Sequence, residues 1–305
     1  MIFSLLLAAL VLFLLLYGLW ETALIGLIIV CLLFGALLLH RGHFHHHGGY
    51  ISIDLYAQKS RLCHWHSGAK LIFCLVCAFI SVWAKNIYVP VFIFCAMSFL
   101  TLALGKTPVS YYLSLLTVPA VFILLSALAI IIEISPIPEG VLCLPAGSFY
   151  LCVTKANQEK AAGIMLSAFG AVSCLYMLSL STPIYRIFEA LRKMRLPFVV
   201  IELMYLIYRY LFILLETHQN MVYSAASRLG YRSPVTSLKT MLNTSFNLFF
   251  TSLRRASGMY DAMEARCYDG EIRFLMEDES FDMAQVFVFL SVPAAAVLIW
   301  IMSRR

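Results

Sequence analysis

The chain has 305 residues, of which 62% are hydrophobic and only 12% are charged. Charged residues make up about a quarter of soluble domains, so this composition excludes a soluble globular domain. It predicts a polytopic protein of the lipid bilayer with no nucleic-acid partner. The net charge is +6, and the basic residues occur in local clusters. These clusters indicate which side of the membrane a segment faces better than the total charge does.

Several apolar stretches are long enough, or nearly so, to cross a bilayer, which takes roughly 20 residues. The first opens the chain without the basic start or the cleavage pattern of a signal peptide, so we expect it to be retained. The second follows a tight turn at Glu21 and Thr22, and the two are expected to form a hairpin. The candidate spans are residues 2–20, 22–39, 71–84, 86–104, 111–132, 161–181 and 282–302.

A histidine-rich linker, HRGHFHHHGGY, follows this hairpin. Imidazole is a good ligand for cobalt, nickel and zinc, so one interpretation is a tract that collects a transition metal. The spacing is irregular and fits no closed tetrahedral site, and the alternative is a polar juxtamembrane linker. The candidate metal-binding residues are His40, His43, His45, His46 and His47.

The cysteines lie mostly in apolar runs and are expected to pack there. Cys74 and Cys77 have CxxC spacing inside a hydrophobic segment, where cysteine is usually a small packing residue. Cys143 and Cys152 belong to the turn-rich stretch 133–160, which is predicted to be an external hairpin or irregular cap. They would form a disulfide if that stretch faces an oxidising compartment.

The apolar stretch 197–215 is also long enough to cross, but charge argues against a crossing. Arginines lie on both of its flanks, and positive charge accumulates on the cytoplasmic side of a membrane. Glu202 and Arg209 within it would each cost about 3 kcal/mol at the bilayer centre, and we expect them to meet other helices. Residues 182–281 are therefore predicted to form one cytoplasmic block. The C-terminal Ser-Arg-Arg then lies outside, against the positive-inside rule.

The cytoplasmic block is predicted to contain three helices, separated by Pro197 and by the break GYRSP. The first begins with Ser-Thr-Pro, a typical helix start, and the second covers about residues 198–229. The third, about residues 235–267, has apolar side chains at spacings of three and four and is therefore amphipathic. Both long helices are expected to act as rods.

The two long helices end in similar sequences. The first tip is YSAASRLGYRS, residues 223–233, and the second tip is DAMEARCYDGEIR, residues 261–273. One arginine at a helix end is most often a favourable charge at the negative end of the helix dipole. Two such ends indicate two similar sockets on a dimeric partner, because arginine pairs bidentately with carboxylates.

These segments resemble the energy-coupling factor (ECF) transporter family, and in particular its membrane-embedded T component of the cobalt type, CbiQ. The resemblance covers about residues 50–302. It rests on the stretch IDLYAQKSRLCHWHSGAK, on STPIYRIFEALRKMRLP and on the two tips. The family's tips carry a motif similar to Ala-Arg-Gly. Here the two motifs read Ser227-Arg228-Leu229 and Ala265-Arg266-Cys267.

The resemblance implies an all-α polytopic membrane protein with about five family transmembrane helices and long cytoplasmic coupling helices. The added N-terminal hairpin lies outside the likeness. It further implies a multi-pass location in a prokaryotic inner (plasma) membrane. The expected divisions are a hairpin and linker at 1–49, a transmembrane bundle at 50–181, a coupling-helix domain at 182–281 and a last transmembrane helix at 282–305.

The resemblance also implies a non-catalytic scaffold for ATP-driven uptake of cobalt or nickel. Two ABC ATPase subunits would bind ATP and magnesium, since this chain has no P-loop. A substrate-binding S component, with or without a small accessory subunit, would carry the ion. This chain would bind no cofactor beyond transient cobalt or nickel, and ATP-driven closure is expected to draw the tips together. The residues expected to dock the ATPases are Arg228, Arg266, Ser227, Ala265, Leu229, Cys267, Tyr231, Tyr268 and Asp269.

Three alternatives stay open from the sequence. A T component of a vitamin importer would keep the same architecture and change the S component. A channel or carrier that works without an ATPase would leave the two arginine tips unexplained. An intramembrane enzyme is disfavoured because the sequence contains no His-Glu-x-x-His motif.

Overall fold

The computed structural model describes residues 54, 56–84, 86–135, 142–146, 149–194, 196–270 and 283–303. The chain forms two compact units, which are Met1–Ile187 with Glu279–Arg305, and Phe188–Asp278. The predicted N-terminal hairpin and the histidine-rich linker lie outside the described residues. The fold is that of an all-α polytopic membrane protein, as predicted.

Eight α-helices account for most of the described residues. A short 3₁₀ turn, Arg61–His64, precedes the first helix, and a π turn, Leu100–Leu104, extends the second. The helices are α1 (Ser67–Trp83), α2 (Tyr88–Phe99), α3 (Val109–Ile131), α4 (Lys155–Ser181), α5 (Ile184–Lys193), α6 (Phe198–Ser227), α7 (Pro234–Glu264) and α8 (Met283–Met302).

The first unit is a bundle built around α4. Helices α1, α2 and α3 all pack against α4, and α8 packs against α1 and α2. Cys74 and Cys77 are buried in this core, and the Cys74 thiol lies 3.5 Å from the Met177 sulfur. The two cysteines therefore pack as small apolar residues, as expected.

Close packing around α4 depends on Gly170. A Cβ atom at this position would lie 2.3 Å from the Ser81 hydroxyl and 3.1 Å from the Pro90 carbonyl oxygen. The Ser81 hydroxyl is itself fixed, because it donates a hydrogen bond to the Ser167 carbonyl oxygen at 3.2 Å. The α1, α2 and α4 backbones can approach this closely only while residue 170 has no side chain.

We expect Gly170→Ala to destabilise the bundle by about 1–3 kcal/mol, because the new methyl group overpacks a fixed contact. Gly163→Ala is the matched control in the same helix, since nothing lies within 4 Å of its Cβ position. That change should stabilise α4 by about 0.5–1 kcal/mol, because alanine is the better helix former. Thermal unfolding in detergent measures both. Shifts of the melting temperature in the same direction would contradict the packing argument.

A small antiparallel sheet joins α3 to α4. Its strands are β1 (Ile132–Ser135), β2 (Leu142–Ala146) and β3 (Phe149–Val153), in the order β1-β3-β2. The predicted hairpin or irregular cap is thus a three-stranded sheet, and α4 begins earlier than the predicted span, at Lys155. Cys152 is disulfide-bonded, and the strand register places Cys143 opposite it, which is the pairing that the sequence left open.

Helix directions within the bundle determine where the chain leaves it and returns. Helix α4 is antiparallel to α1, because the Lys70 amine contacts the Ser181 carbonyl oxygen and Ser81 contacts Ser167. Helix α8 is parallel to α1, because the His66 N–H donates to Gln285 at 3.3 Å and the far ends of both helices line one apolar pocket. The end of α4 and the start of α8 therefore lie at the same end of the bundle.

This geometry bears on the predicted placement of α6. By length and hydropathy alone, α3, α4, α6 and α8 could each cross a membrane. Since the chain leaves α4 and enters α8 on one side, residues 182–282 must cross an even number of times. Among the described residues of that stretch, α6 is the single helix that qualifies, so a lone crossing by α6 would leave α8 on the wrong side. The placement of α6 in a cytoplasmic block stays a prediction.

Two buried cations tie together chain segments at this same end of the bundle. Lys70 is 0% exposed, and its amine donates to the Leu62 carbonyl oxygen at 2.5 Å and to the Ser181 carbonyl oxygen at 3.2 Å. Arg186, which is also buried, donates to the Cys63 carbonyl oxygen. These bonds hold the turn before α1 against the end of α4 and the start of α5.

The second unit contains an antiparallel hairpin of α6 and α7. Three hydrogen bonds define its register, each joining the two sides of the hairpin. The Thr240 hydroxyl donates to the Gly230 carbonyl oxygen at 2.9 Å, and Arg255 donates to the Thr217 hydroxyl at 2.7 Å. The Tyr268 hydroxyl donates to Glu202 at 2.5 Å. From the first of these bonds to the third, the sequence separation of the two partners increases from 10 to 38 to 66 residues. The two helices therefore run in opposite directions.

Candidate coupling tips

The first tip ends α6 in a Schellman motif. The Leu229 N–H donates to the Ala226 carbonyl oxygen at 3.0 Å, and the Gly230 N–H donates to the Ala225 carbonyl oxygen at 2.9 Å. These two bonds satisfy carbonyl groups that the end of a helix would otherwise leave free. Arg228 stands at the last position before the chain turns, and its side chain is exposed.

The second tip ends α7 in the same motif. The Cys267 N–H donates to the Glu264 carbonyl oxygen at 3.0 Å, and the Tyr268 N–H donates to the Met263 carbonyl oxygen at 3.1 Å. Arg266 occupies the position that Arg228 has in the first tip, and it is exposed too. The similarity of the two sequences therefore extends to their hydrogen bonding.

The residue after each arginine has left-handed backbone geometry. The φ angle is 57° at Leu229 and 59° at Cys267. This turn requires a positive φ angle, which glycine adopts without strain and other residues adopt at a cost of about 1–2 kcal/mol. The glycine that the resemblance implies at this position is thus replaced in both tips, but the conformation that favours glycine is retained.

We expect Leu229→Gly and Cys267→Gly each to stabilise the local turn by about 1 kcal/mol, because glycine removes the left-handed strain. Hydrogen exchange should report this as roughly fivefold slower exchange of the Gly230 and Tyr268 amides, which close the two motifs. Gly230→Ala is the opposite control. Its Cβ would lie 2.9 Å from the Ala225 carbonyl oxygen and 3.0 Å from the Thr240 hydroxyl. Faster exchange in the glycine variants would contradict the strain argument.

The tips are fastened to the hairpin by different side chains. At the first tip the Thr240 hydroxyl binds the Gly230 carbonyl oxygen, whereas at the second the Tyr268 hydroxyl binds Glu202. Glu202 thus contacts the turn that follows α7, whereas a contact with another helix was expected. The sequence did not predict the contact of Tyr268 with Glu202 or the contact of Thr240 with Gly230. Each contact joins two different segments of the chain.

The hydrogen bond to Glu202 raises the pKa of the Tyr268 phenol to about 12, with smaller contributions from burial and from neighbouring acidic groups. A raised pKa means that the folded state favours the protonated phenol. The corresponding stabilisation is therefore fully present below the ordinary tyrosine pKa of about 10, and it is lost as the pH rises toward 12.

The remaining predicted tip residues lie close to the two arginines. The Ser227 hydroxyl donates to the Tyr223 carbonyl oxygen at 3.0 Å, inside α6. Tyr231, Ala265 and Asp269 are exposed. The structure groups the predicted residues into two clusters, one at each tip.

The two clusters lie at opposite ends of α7. This helix has 31 residues, which at 1.5 Å per residue separates its ends by about 47 Å. Arg228 precedes the start of α7 and Arg266 follows its end. One partner subunit could reach both tips only by spanning most of that distance, so the spacing favours two separate sockets.

No group of three or more potential metal ligands occurs among the described residues. The candidate metal-binding residues, His40, His43, His45, His46 and His47, lie outside them. The coupling tips are therefore the candidate functional site that the described part of the chain presents.

The family model for CbiQ, described as cobalt transport protein, matches residues 58–276, which is more than half of the chain. The chain belongs to the CbiQ family. The match to CbiQ includes both tips and the hairpin of α6 and α7, and it leaves out the N-terminal 57 residues.

The relatives of this chain include two cobalt transport proteins and an uncharacterised protein. A fused cobalt transport protein, CbiMQ, of Methanocorpusculum labreanum is 31% identical over 79% of this chain and 41% of its own length. This chain therefore spans less than half of that relative. The CbiQ cobalt transport protein of Rhodobacter capsulatus is 25% identical over 63% of this chain and 73% of its own length. An uncharacterised protein of Methanocaldococcus jannaschii is 28% identical over 75% of this chain and 84% of its own length.

Proposed function

We propose that this chain is the T component of an ECF-type importer for cobalt or nickel ions. In this role it couples two ABC ATPase subunits to a substrate-binding membrane subunit, and it catalyses no reaction itself. Membership in a family of cobalt transport proteins supports cobalt as the transported ion. The expected location is the inner (plasma) membrane of a prokaryotic cell.

The observation that carries the proposal is the pair of matching arginine tips. Both expose an arginine at the same position of the same helix-ending motif, and the two lie about 47 Å apart at the ends of α7. An exposed guanidinium fits a carboxylate-containing socket, because its fork donates two hydrogen bonds at once. Two separate sockets of this kind are what a pair of ATPase subunits would offer, and those subunits would bind ATP and magnesium.

The fused relative supports a second membrane partner. It is described as a fused cobalt transport protein, and this chain spans 41% of its length. The remaining part of that relative is long enough to contain another transport component in the same polypeptide. For this chain the corresponding component would be a separate substrate-binding subunit, with or without a small accessory subunit.

Reconstitution tests the proposal. The chain would be placed in liposomes with candidate ATPase and substrate-binding subunits, and uptake of radioactive cobalt, nickel or a vitamin would be followed with and without ATP. We expect uptake of cobalt or nickel that requires ATP, both partners and this chain. Uptake by this chain alone, without ATPases, would identify a channel or carrier instead. ATP-dependent uptake of only a vitamin would correct the cargo.

A further inference from the structure

The two tips end their helices in the same backbone motif but carry opposite net charge. The first tip, residues 223–233, contains Arg228 and Arg232 and no acidic residue, which gives it a net charge of +2. The described part of the second tip, residues 261–270, contains Arg266 and three acidic residues, and its net charge is therefore −2. The acidic residues are Asp261, Glu264 and Asp269.

The apolar surfaces of the tips differ as well. In the first tip Leu229 is 66% exposed and Tyr231 is 40% exposed, on either side of Gly230. In the second tip the position of Leu229 is taken by Cys267, and Tyr268 is bonded to Glu202. A large exposed leucine in a strained backbone conformation is unfavourable in the free chain on both counts. Contact with a partner surface would compensate for both costs.

We propose that the first tip is the dominant anchor for the ATPase subunits and that the second tip contributes less affinity. This inference rests on the proposed function. The socket that fits the first tip is acidic, with an apolar wall beside Arg228 for Leu229 and Tyr231. If the two ATPase subunits present like sockets, the acidic groups around Arg266 repel the socket that attracts the first tip, because charges within a Debye length of about 8 Å interact.

The test compares matched substitutions at equivalent positions. The probe is the purified ATPase subunit, and its affinity for the detergent-solubilised chain is measured at low and at high salt. Arg228→Ala should lower the affinity about a hundredfold and Arg266→Ala less than about fivefold. Leu229→Gly should lower it about tenfold, and Cys267→Gly less than about twofold, although both relieve the same backbone strain. Higher salt should weaken the wild type and Arg266→Ala more than Arg228→Ala.

Equal losses from Arg228→Ala and Arg266→Ala, or a larger loss from Arg266→Ala, would overturn the inference. Unchanged or tighter binding by Leu229→Gly would overturn the apolar part of it, because the residue would then only strain the free chain. Either result leaves the proposed function intact. If the wild type does not bind the ATPase subunit, or the double arginine variant binds as well as the wild type, the proposed function fails instead.

Discussion

Replacing both Arg228 and Arg266 by alanine is expected to lower the affinity for the ATPase subunits by at least about a hundredfold and to abolish ATP-driven uptake. Removing one partner of a buried, hydrogen-bonded charge pair typically costs about 2–5 kcal/mol, much of it from the carboxylate left without its cation. Both arginines are exposed in the chain alone, so their loss removes little from its own packing.

Arg254→Ala is the control for this prediction, because Arg254 is an exposed arginine of α7 outside both tips. It should bind the ATPase subunits as the wild type does. Circular dichroism of each variant would establish that the helices are retained. A double variant that binds within about threefold of the wild type would show that the arginines act only as helix-end charges, each worth about 0.3–1 kcal/mol.

The second large effect is expected from Lys70→Met, which should destabilise the transmembrane bundle by about 3 kcal/mol. The Lys70 amine is buried and bonds the carbonyl oxygens of Leu62 and Ser181. Methionine fills a similar volume without donating a hydrogen bond, so two buried carbonyl groups lose a charged donor. The end of α4 would also lose a cation that favours the negative end of its dipole.

Reactivity of the buried thiols of Cys74 and Cys174 provides a measure, because both lie in the core and react only when the bundle opens. Labelling should be about a hundredfold faster in Lys70→Met than in the wild type if the opening is global. Lys160→Met is the control, since Lys160 is exposed on α4. Equal labelling rates in the two variants would mean that the buried amine contributes nothing to stability.

The long helices were predictable because their signals are local. Three apolar stretches of the sequence predicted α3, α6 and α8 close to their observed bounds, and the periodic apolar face of α7 predicted that helix. The sheet between α3 and α4 was expected only as a hairpin or irregular cap. Short strands rich in turn residues carry little periodicity, and their pairing depends on contacts that no local pattern records.

The candidate site was likewise predictable only where its signal lies in a short stretch of sequence. The two arginines could be found because the same short pattern occurs twice, and the family resemblance connected that pattern with ATPase docking. The left-handed turns could not be found, because neither Leu229 nor Cys267 is a residue that such turns favour. The bond between Tyr268 and Glu202 joins positions that are brought together only when α7 folds back along α6.

The uninterrupted length of α7 limits how the coupling unit can move. A continuous helix can curve gently but cannot shorten, so it works as a strut between the two tips. The expectation that ATP-driven closure draws the tips together does not fit this geometry. If the two sockets approach each other while both tips stay bound, α7 must tilt or rotate as a rigid body. The motion transmitted to the membrane is then a change in the angle of α7.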